Sequence, residues 1–316
     1  MPRSTTRSST TLAERATVEP LAGDFPVALS VDVEEWFHNC WVPEYVVPQH
    51  RPPLPRELDR LLAVLLETLE RADARATWFV LGEVARENPR RIREAAAAGH
   101  EIACHGDLHL RANDRSPAAF RADLERAKAQ IEDLVGRPVT GFRAPEWSLR
   151  RAENPRFRIV AECGFSYDSS LAPAIGSGSA ANATGPRRYR WADGVELLEL
   201  PPLVWGGPLR LPVGGWCGRR TPIPWLRAAV AAARGRGELP LLVVHPWELV
   251  DRPVPGLLTG FARFFHDAGR IGYRERFLDL ITPLSAQPLA AAIAAQRTPA
   301  PEQGVALAPL APRAAW

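Results

Sequence analysis

Short apolar runs alternate with amphipathic stretches along most of this chain, and that alternation limits the folds open to it. Residues 27–31 (Val-Ala-Leu-Ser-Val) form an apolar run too short for a helix, which predicts a central strand buried on both faces. Leu58, Leu61, Leu62, Leu65, Leu66 and Leu69 then recur at helical spacing. The pattern repeats downstream. Strands are expected at 77–81, 101–104, 139–142, 165–171, 196–200 and 239–244. Helices are expected at 84–98, 118–135, 150–163, 224–234, 256–268 and 274–281. Strands alternating with helices predict an α/β protein with a parallel sheet and outer helices, either open or closed into a barrel.

Composition fits one large globular unit: 316 residues, 46% hydrophobic and 24% charged, carry enough apolar surface for a full-sized core. The expected organisation is a flexible N-terminal arm over 1–24, a single domain over 25–283, and an Ala/Pro-rich tail over 284–316. The formal charge of +3 is small, and the arginines are scattered, which argues against a nucleic-acid partner. Cys40, Cys104, Cys163 and Cys217 stand far apart without a C-x-x-C pair, so a reducing, cytoplasmic setting is expected. No stretch reaches the roughly 18 apolar residues of a membrane span. Oligomeric state leaves no trace in the sequence.

The chemistry gathers where the strands end. Asp32 and Glu34 close the first strand, His105 and His109 follow the third, and Arg143, Asp168 and His245 close later ones. In a sheet of parallel strands, such positions share one edge. An isolated H-x-x-x-H is more often two neighbouring surface histidines; the acids and histidine at other strand ends favour a site. Glu34, His105 and His109 offer two imidazoles and a carboxylate, the donor set of a catalytic divalent metal. Zinc is the expected ion, with cobalt or nickel suited to the same ligands. Parity places Glu34, not Glu35, on the face of Asp32. Asp32 is then the candidate general base and His245 the candidate acid for a leaving nitrogen, with Arg143 holding the base ionised by pairing with it.

Together these residues resemble the polysaccharide deacetylases with a NodB-homology domain (carbohydrate esterase family four). Asp32-Val-Glu34 looks like the first family motif, His105-Gly-Asp-Leu-His109 the second and Arg143-Ala-Pro-Glu146-Trp147 the third. Tyr167-Asp168-Ser-Ser looks like the fourth and Leu-Val-Val-His245-Pro-Trp247 the fifth. The spellings Asp-Val-Glu-Glu-Trp-Phe and His-Pro-Trp-Glu-Leu look closest to a branch associated with exopolysaccharide gene clusters. The resemblance implies a distorted (β/α) barrel of the glycoside hydrolase/deacetylase type, here with seven strands, and metal-dependent removal of N-acetyl groups from amino sugars. It also implies that a backbone N–H near Glu146 binds the oxyanion, that Asp168 orients a catalytic partner, and that Glu146, Trp147 and Trp247 line the substrate site. Two departures stand out: a valine separates the first-motif acids, with Glu34 in place of an aspartate, and Glu146 stands where a tyrosine is frequent. Other readings are a cyclic amide or imide hydrolase of the allantoinase-like type, and a non-catalytic carbohydrate-binding protein.

Overall fold

A computed structural model describes residues 16–38, 46–51, 56–174, 179, 181–206, 210–251 and 258–296. Nine strands occur in chain order: β1 (Thr17–Pro20), β2 (Ala28–Val33), β3 (Thr77–Val80), β4 (Glu101–Cys104), β5 (Gly141–Phe142), β6 (Tyr167–Asp168), β7 (Arg187–Arg190), β8 (Glu196–Glu199) and β9 (Leu241–Val244). They form one sheet in the order β1-β7-β8-β6-β5-β4-β3-β2-β9. Every pairing from β8 through β9 is parallel, so the seven expected strands are the parallel ones. The total of nine corrects the expected count, the additions being the antiparallel edge pair β1 and β7. The sheet is curled, and the chain beyond β8 returns toward β9, where Leu203 N–H donates to Leu241 O at 2.8 Å.

Side-chain alternation sorts each parallel strand into two faces. Leu29, Val31 and Val33 of β2, with Trp78 and Val80 of β3, belong to a large outer core. That core is shared with the leucines of α1 (Leu58–Arg71) and with Phe120, Leu124 and Ile131 of α4 (Pro117–Val135). Ala28, Phe79, Ala103, Tyr167, Leu241 and Val243 face the other way and form a smaller inner core. β5 depends on a missing side chain: a Cβ on Gly141 would lie 2.1 Å from the Tyr167 ring, which crosses the inner face there.

Several expected elements come out differently. The arm over 1–24 contains β1, whose Glu19 sits opposite Arg188 of β7. Neither strand has the apolar alternation that advertises a buried strand, which is why both escape a hydrophobicity reading. The helix expected at 84–98 is two, α2 (Gly82–Glu87) and α3 (Pro89–Ala97), because Pro89 has no N–H and Asn88 leaves helical geometry at φ −126°, ψ 44°. The helix expected at 150–163 shortens to α5 (Arg156–Glu162).

The chain continues through α6 (Gly215–Arg220), α7 (Ile223–Gly235), α8 (Gly260–Asp267), α9 (Tyr273–Ile281) and α10 (Leu289–Ala294). Part of the expected tail is therefore structural. Gln287 bonds to Val27 and Leu29, while α10 buries Leu289 and Ala292 in the inner core. Leu289 N–H also reaches Thr77 Oγ1, so α10 covers the amino ends of the strands. The opposite ends are left for the site. Cys104, Cys163 and Cys217 are free thiols, Cys40 lies outside the described residues, and no described helix is long and apolar enough to cross a membrane.

Candidate active site

Inner-face parity carries Asp32, His105, Arg143 and His245 to the carboxyl ends of β2, β4, β5 and β9. Two positions before them stand Ser30, Ala103, Gly141 and Val243; Ala103 and Val243 belong to the inner core, and Gly141 lies against the inner-core ring of Tyr167. Gly106 then turns the chain at φ +86°, a conformation disfavoured for residues with a Cβ, and His109 comes back beside His105. The two imidazole centroids are 5.3 Å apart.

Glu34 Oε1 lies 2.9 Å from His105 Nε2 and 2.8 Å from His109 Nε2. The three side chains each offer a ligand atom within 4.8 Å of the others, and all three residues are buried. His105 Nδ1 sits 2.7 Å from Arg143 O; donation to that carbonyl leaves the Nε2 lone pair facing Glu34. Among the described residues neither nitrogen of His109 makes a hydrogen bond of acceptable geometry, despite the short approach of Nε2 to Glu34. A buried polar atom without a partner is costly, and two imidazoles with a carboxylate converging on one point fit a divalent ion. Burial alone would raise the Glu34 carboxyl, but His109 and His105 hold it well below the usual range, in the anionic form that a ligand needs. Glu35 takes another direction. Its Oε1 accepts from Glu57 N–H and Leu58 N–H at the start of α1, each at 3.0 Å, so of the two acids it is Glu34 that meets the histidines.

Asp32 and His245 stand beside this triad. Asp32 Oδ2 is 4.0 Å from His245 Nε2, and Asp32 Oδ1 accepts from the fully buried Arg143 guanidinium. Arg143 is itself fixed by Ser169, donating to its carbonyl at 3.2 Å and to its hydroxyl at 2.9 Å, and it lies 4.1 Å from the centre of the Phe79 ring. Behind His245, Glu248 Oε2 is 3.1 Å from Nδ1 and accepts the His245 backbone N–H at 2.9 Å. Burial would lower the His245 pKa; Glu248 outweighs it, with smaller contributions from Glu34 and Asp32, and the group is pushed up to about 9. Glu248 is held in turn by buried Arg219, 3.2 Å away, which also donates to His266 O and Phe265 O.

Not every expected residue reaches this centre. Asp168 lies on the outer face of β6, since its neighbour Tyr167 faces in. Its carboxylate accepts from Ser170 N–H and Ser170 Oγ, and Ser170 Oγ accepts from Ala144 N–H. Burial raises both Asp168 and Glu199, which interact across β6 and β8. Ser169, facing inward, is the residue of that motif that touches Arg143. Trp247 stacks on His245 and on His266, with centroids 5.1 and 4.2 Å away, and Arg219 lies 5.0 Å from its ring; these contacts occupy it with protein. Glu146 and Trp147 hold left-handed backbone (φ 54° and 47°), uncommon for residues with side chains, and the Glu146 carboxylate pairs with Arg111. Three contributors had no role from sequence: Glu248, whose spacing from His245 is that of a capping box, Arg219, and His38, stacked 6.0 Å from His109.

Residues 58–167 match the family described as polysaccharide deacetylase. A peptidoglycan deacetylase-like protein of Gibberella zeae is 31% identical over 109 residues, covering 34% of this chain and 31% of that protein. A peptidoglycan deacetylase of Helicobacter pylori is 30% identical over 112 residues, covering 34% of this chain and 36% of that one. The chain thus spans about a third of the length of the curated relatives it matches. In fold, a Mycobacterium smegmatis protein solved as a candidate polysaccharide deacetylase superposes with a TM-score of 0.52 at 22% identity, covering 91% of this chain and 98% of its own. The stretch that matches the polysaccharide deacetylase family runs from α1 to the start of β6 and includes His105, His109 and Arg143.

Proposed function

We propose that this chain is a metal-dependent hydrolase that removes N-acetyl groups from amino sugars of a polysaccharide or its lipid-linked precursor. The observation that carries the reading is the meeting of Glu34, His105 and His109 at one point, with Asp32 and His245 beside them. Glu34, His105 and His109 would hold the ion, zinc by preference and cobalt or nickel with the same donors. When bound, it supplies Lewis acidity, polarising the amide carbonyl and lowering the pKa of a water.

The chain's own groups do the rest. Asp32, oriented by Arg143, takes the proton from the attacking water. His245, protonated at neutral pH through Glu248, gives a proton to the departing amine nitrogen. A backbone N–H at the strained Glu146–Trp147 turn is the candidate donor to the oxyanion, and Trp147 lines the substrate side. Asp168 acts at a distance, as a positioning residue: it holds Ser170, which receives Ala144 N–H on the loop leading to Glu146. The same reading keeps the exopolysaccharide branch as the substrate source, on the spelling around Asp32 and His245, and a cytoplasmic location, supported by three free thiols.

The test is acetate release from N-acetylglucosamine oligomers by protein loaded with one equivalent of zinc or cobalt, run beside allantoin. Acetate release that disappears in Asp32→Asn and His105→Ala supports the proposal. Ring opening of allantoin without acetate release moves the chain to the cyclic amide hydrolases. Absence of either, or failure to retain an ion, leaves the binding-protein reading.

A further inference from the structure

The inner face of the sheet is not filled up to the site. A cavity of about 190 Å³ lies between the segment beyond β8 and β9, with Trp147, Leu203, Val204, Trp216, Val243 and His245 among the residues of its wall. His245 and Trp147 belong to the candidate active site, so the cavity opens from the reacting centre itself. The remaining wall, including Pro202, Pro212 and Leu241, is apolar apart from the Cys217 thiol. Its hydrogen-bonding groups are His245, the Cys217 thiol and the indole N–H groups of Trp147 and Trp216, too few for the several hydroxyls of a sugar ring, which would lose water without regaining partners.

From this geometry we infer that the site accepts amides whose acyl group is longer than acetyl, a linear chain of about four to six carbons lying in this cavity. The inference rests on the amide-hydrolase reading above and adds to it the class of acyl group. Size is the argument. An apolar cavity of about 150 Å³ is enough to hold benzene, six carbons, whereas an acetyl group brings a single methyl. A methyl would leave most of the 190 Å³ without contacts. Chemistry agrees with size: with the carbonyl carbon between Asp32 and His245, the amine side carries the sugar and the acyl side is the apolar half of the substrate.

The reaction needs only water. Its oxygen bonds to the acyl carbon, the carbon–nitrogen bond breaks, and the two products are a carboxylate and a protonated sugar amine. Asp32 takes one of the water's protons and returns it to solvent, and the acid product releases the other. The nitrogen gains one proton from His245 as the bond breaks and a second from solvent, and His245 is reprotonated from solvent, so that no net proton is gained or lost.

The experiment compares glucosamine oligomers carrying N-acetyl, N-butanoyl and N-hexanoyl groups, using full-length protein loaded with one equivalent of zinc. Each buried methylene is worth roughly fourfold in kcat/KM until the cavity is full. We expect kcat/KM to rise from acetyl to butanoyl by about fifteenfold and hexanoyl to remain above acetyl. Cys217→Phe, which places a ring in the cavity, should bring the hexanoyl-to-acetyl ratio to one or below. A second reading avoids any variant: hexanoate should inhibit the unaltered enzyme at lower concentration than acetate. Acetate release that is fastest from the N-acetyl substrate, with hexanoate no better an inhibitor than acetate, overturns the inference and leaves the deacetylase reading intact. Release of no acid from any of the three overturns both.

Discussion

His245 is protonated at neutral pH because of a residue three positions along the chain. Glu248 faces its Nδ1 and outweighs the burial that would otherwise strip the proton. A group with pKa pushed up to about 9 is available as an acid below that pH and lost above it, so the alkaline limb of kcat should follow its deprotonation. Glu248→Gln removes the charge while keeping an oxygen beside the imidazole. The alkaline limb should move to lower pH by at least one unit, with zinc stoichiometry unchanged; a limb that stays in place would mean that another group titrates there. Asp32→Asn belongs to the same scale. It should lower kcat by about 10²–10⁴-fold, the usual range for a general base, while the protein still binds one equivalent of zinc; loss of the ion would place it on Asp32, Glu34 and His245, which also converge, and not on Glu34, His105 and His109. At this scale the sequence was readable wherever parity could be counted. Asp32, Glu34 and not Glu35, His105 and His245 all follow from alternation along a strand. The same count applied to Tyr167-Asp168-Ser169 would have put Ser169 at the Arg143 side and Asp168 outside it. Arg219 could not be found this way, since it comes from a short helix with no period that points to Glu248.

Elements fix these residues through joints that tolerate little change. His100 precedes β4, accepts Ala76 N–H at 3.2 Å and stacks on Trp78, and burial lowers its pKa to about 4. A histidine depressed in the folded state stabilises the fold above its ordinary pKa near 6.5, and that contribution disappears as pH falls through 4. The shift corresponds to about 3 kcal/mol at most. His100→Gln, which keeps an acceptor, should flatten the loss of stability between pH 6.5 and 4 in urea titrations; an unchanged slope would assign that loss to other groups. Gly141→Ala tests a joint of another kind. With its Cβ directed at the Tyr167 ring, the variant should lose several kcal/mol and release Tyr167 from Glu101, to which its hydroxyl now donates at 2.8 Å. A midpoint within about 0.5 kcal/mol of the parent would show that the ring moves freely. Among elements, the seven parallel strands were legible because both faces are buried and the runs are apolar. The β1–β7 ladder was not: of its side chains only Tyr189 is buried, and one buried residue makes no alternation. The break at Asn88–Pro89 was written in the sequence and outweighed by the apolar period on either side.

Across the whole molecule, the three ligand residues come from segments up to 75 positions apart, Glu34 after β2 and the histidines after β4, and unfolding separates them. An ion that binds only the assembled site must therefore stabilise the fold, by about 4 kcal/mol when present at a thousand times its dissociation constant. Chelation and dialysis should lower the melting temperature by several degrees, and one equivalent of zinc should restore it. Three variants separate this linkage from nonspecific binding. Asp32→Asn should keep the full shift, since Asp32 lies beside the triad. Glu34→Gln should lose most of it, because the neutral amide removes the only anionic donor of the three while leaving the shape of the site. His245→Gln should keep it, its ring nitrogen being directed at Asp32 and Glu248. A shift in Glu34→Gln equal to the parent's would place the ion elsewhere on the protein, and the proposed hydrolytic centre would lose its foundation even if the fold and the family match stood unchanged.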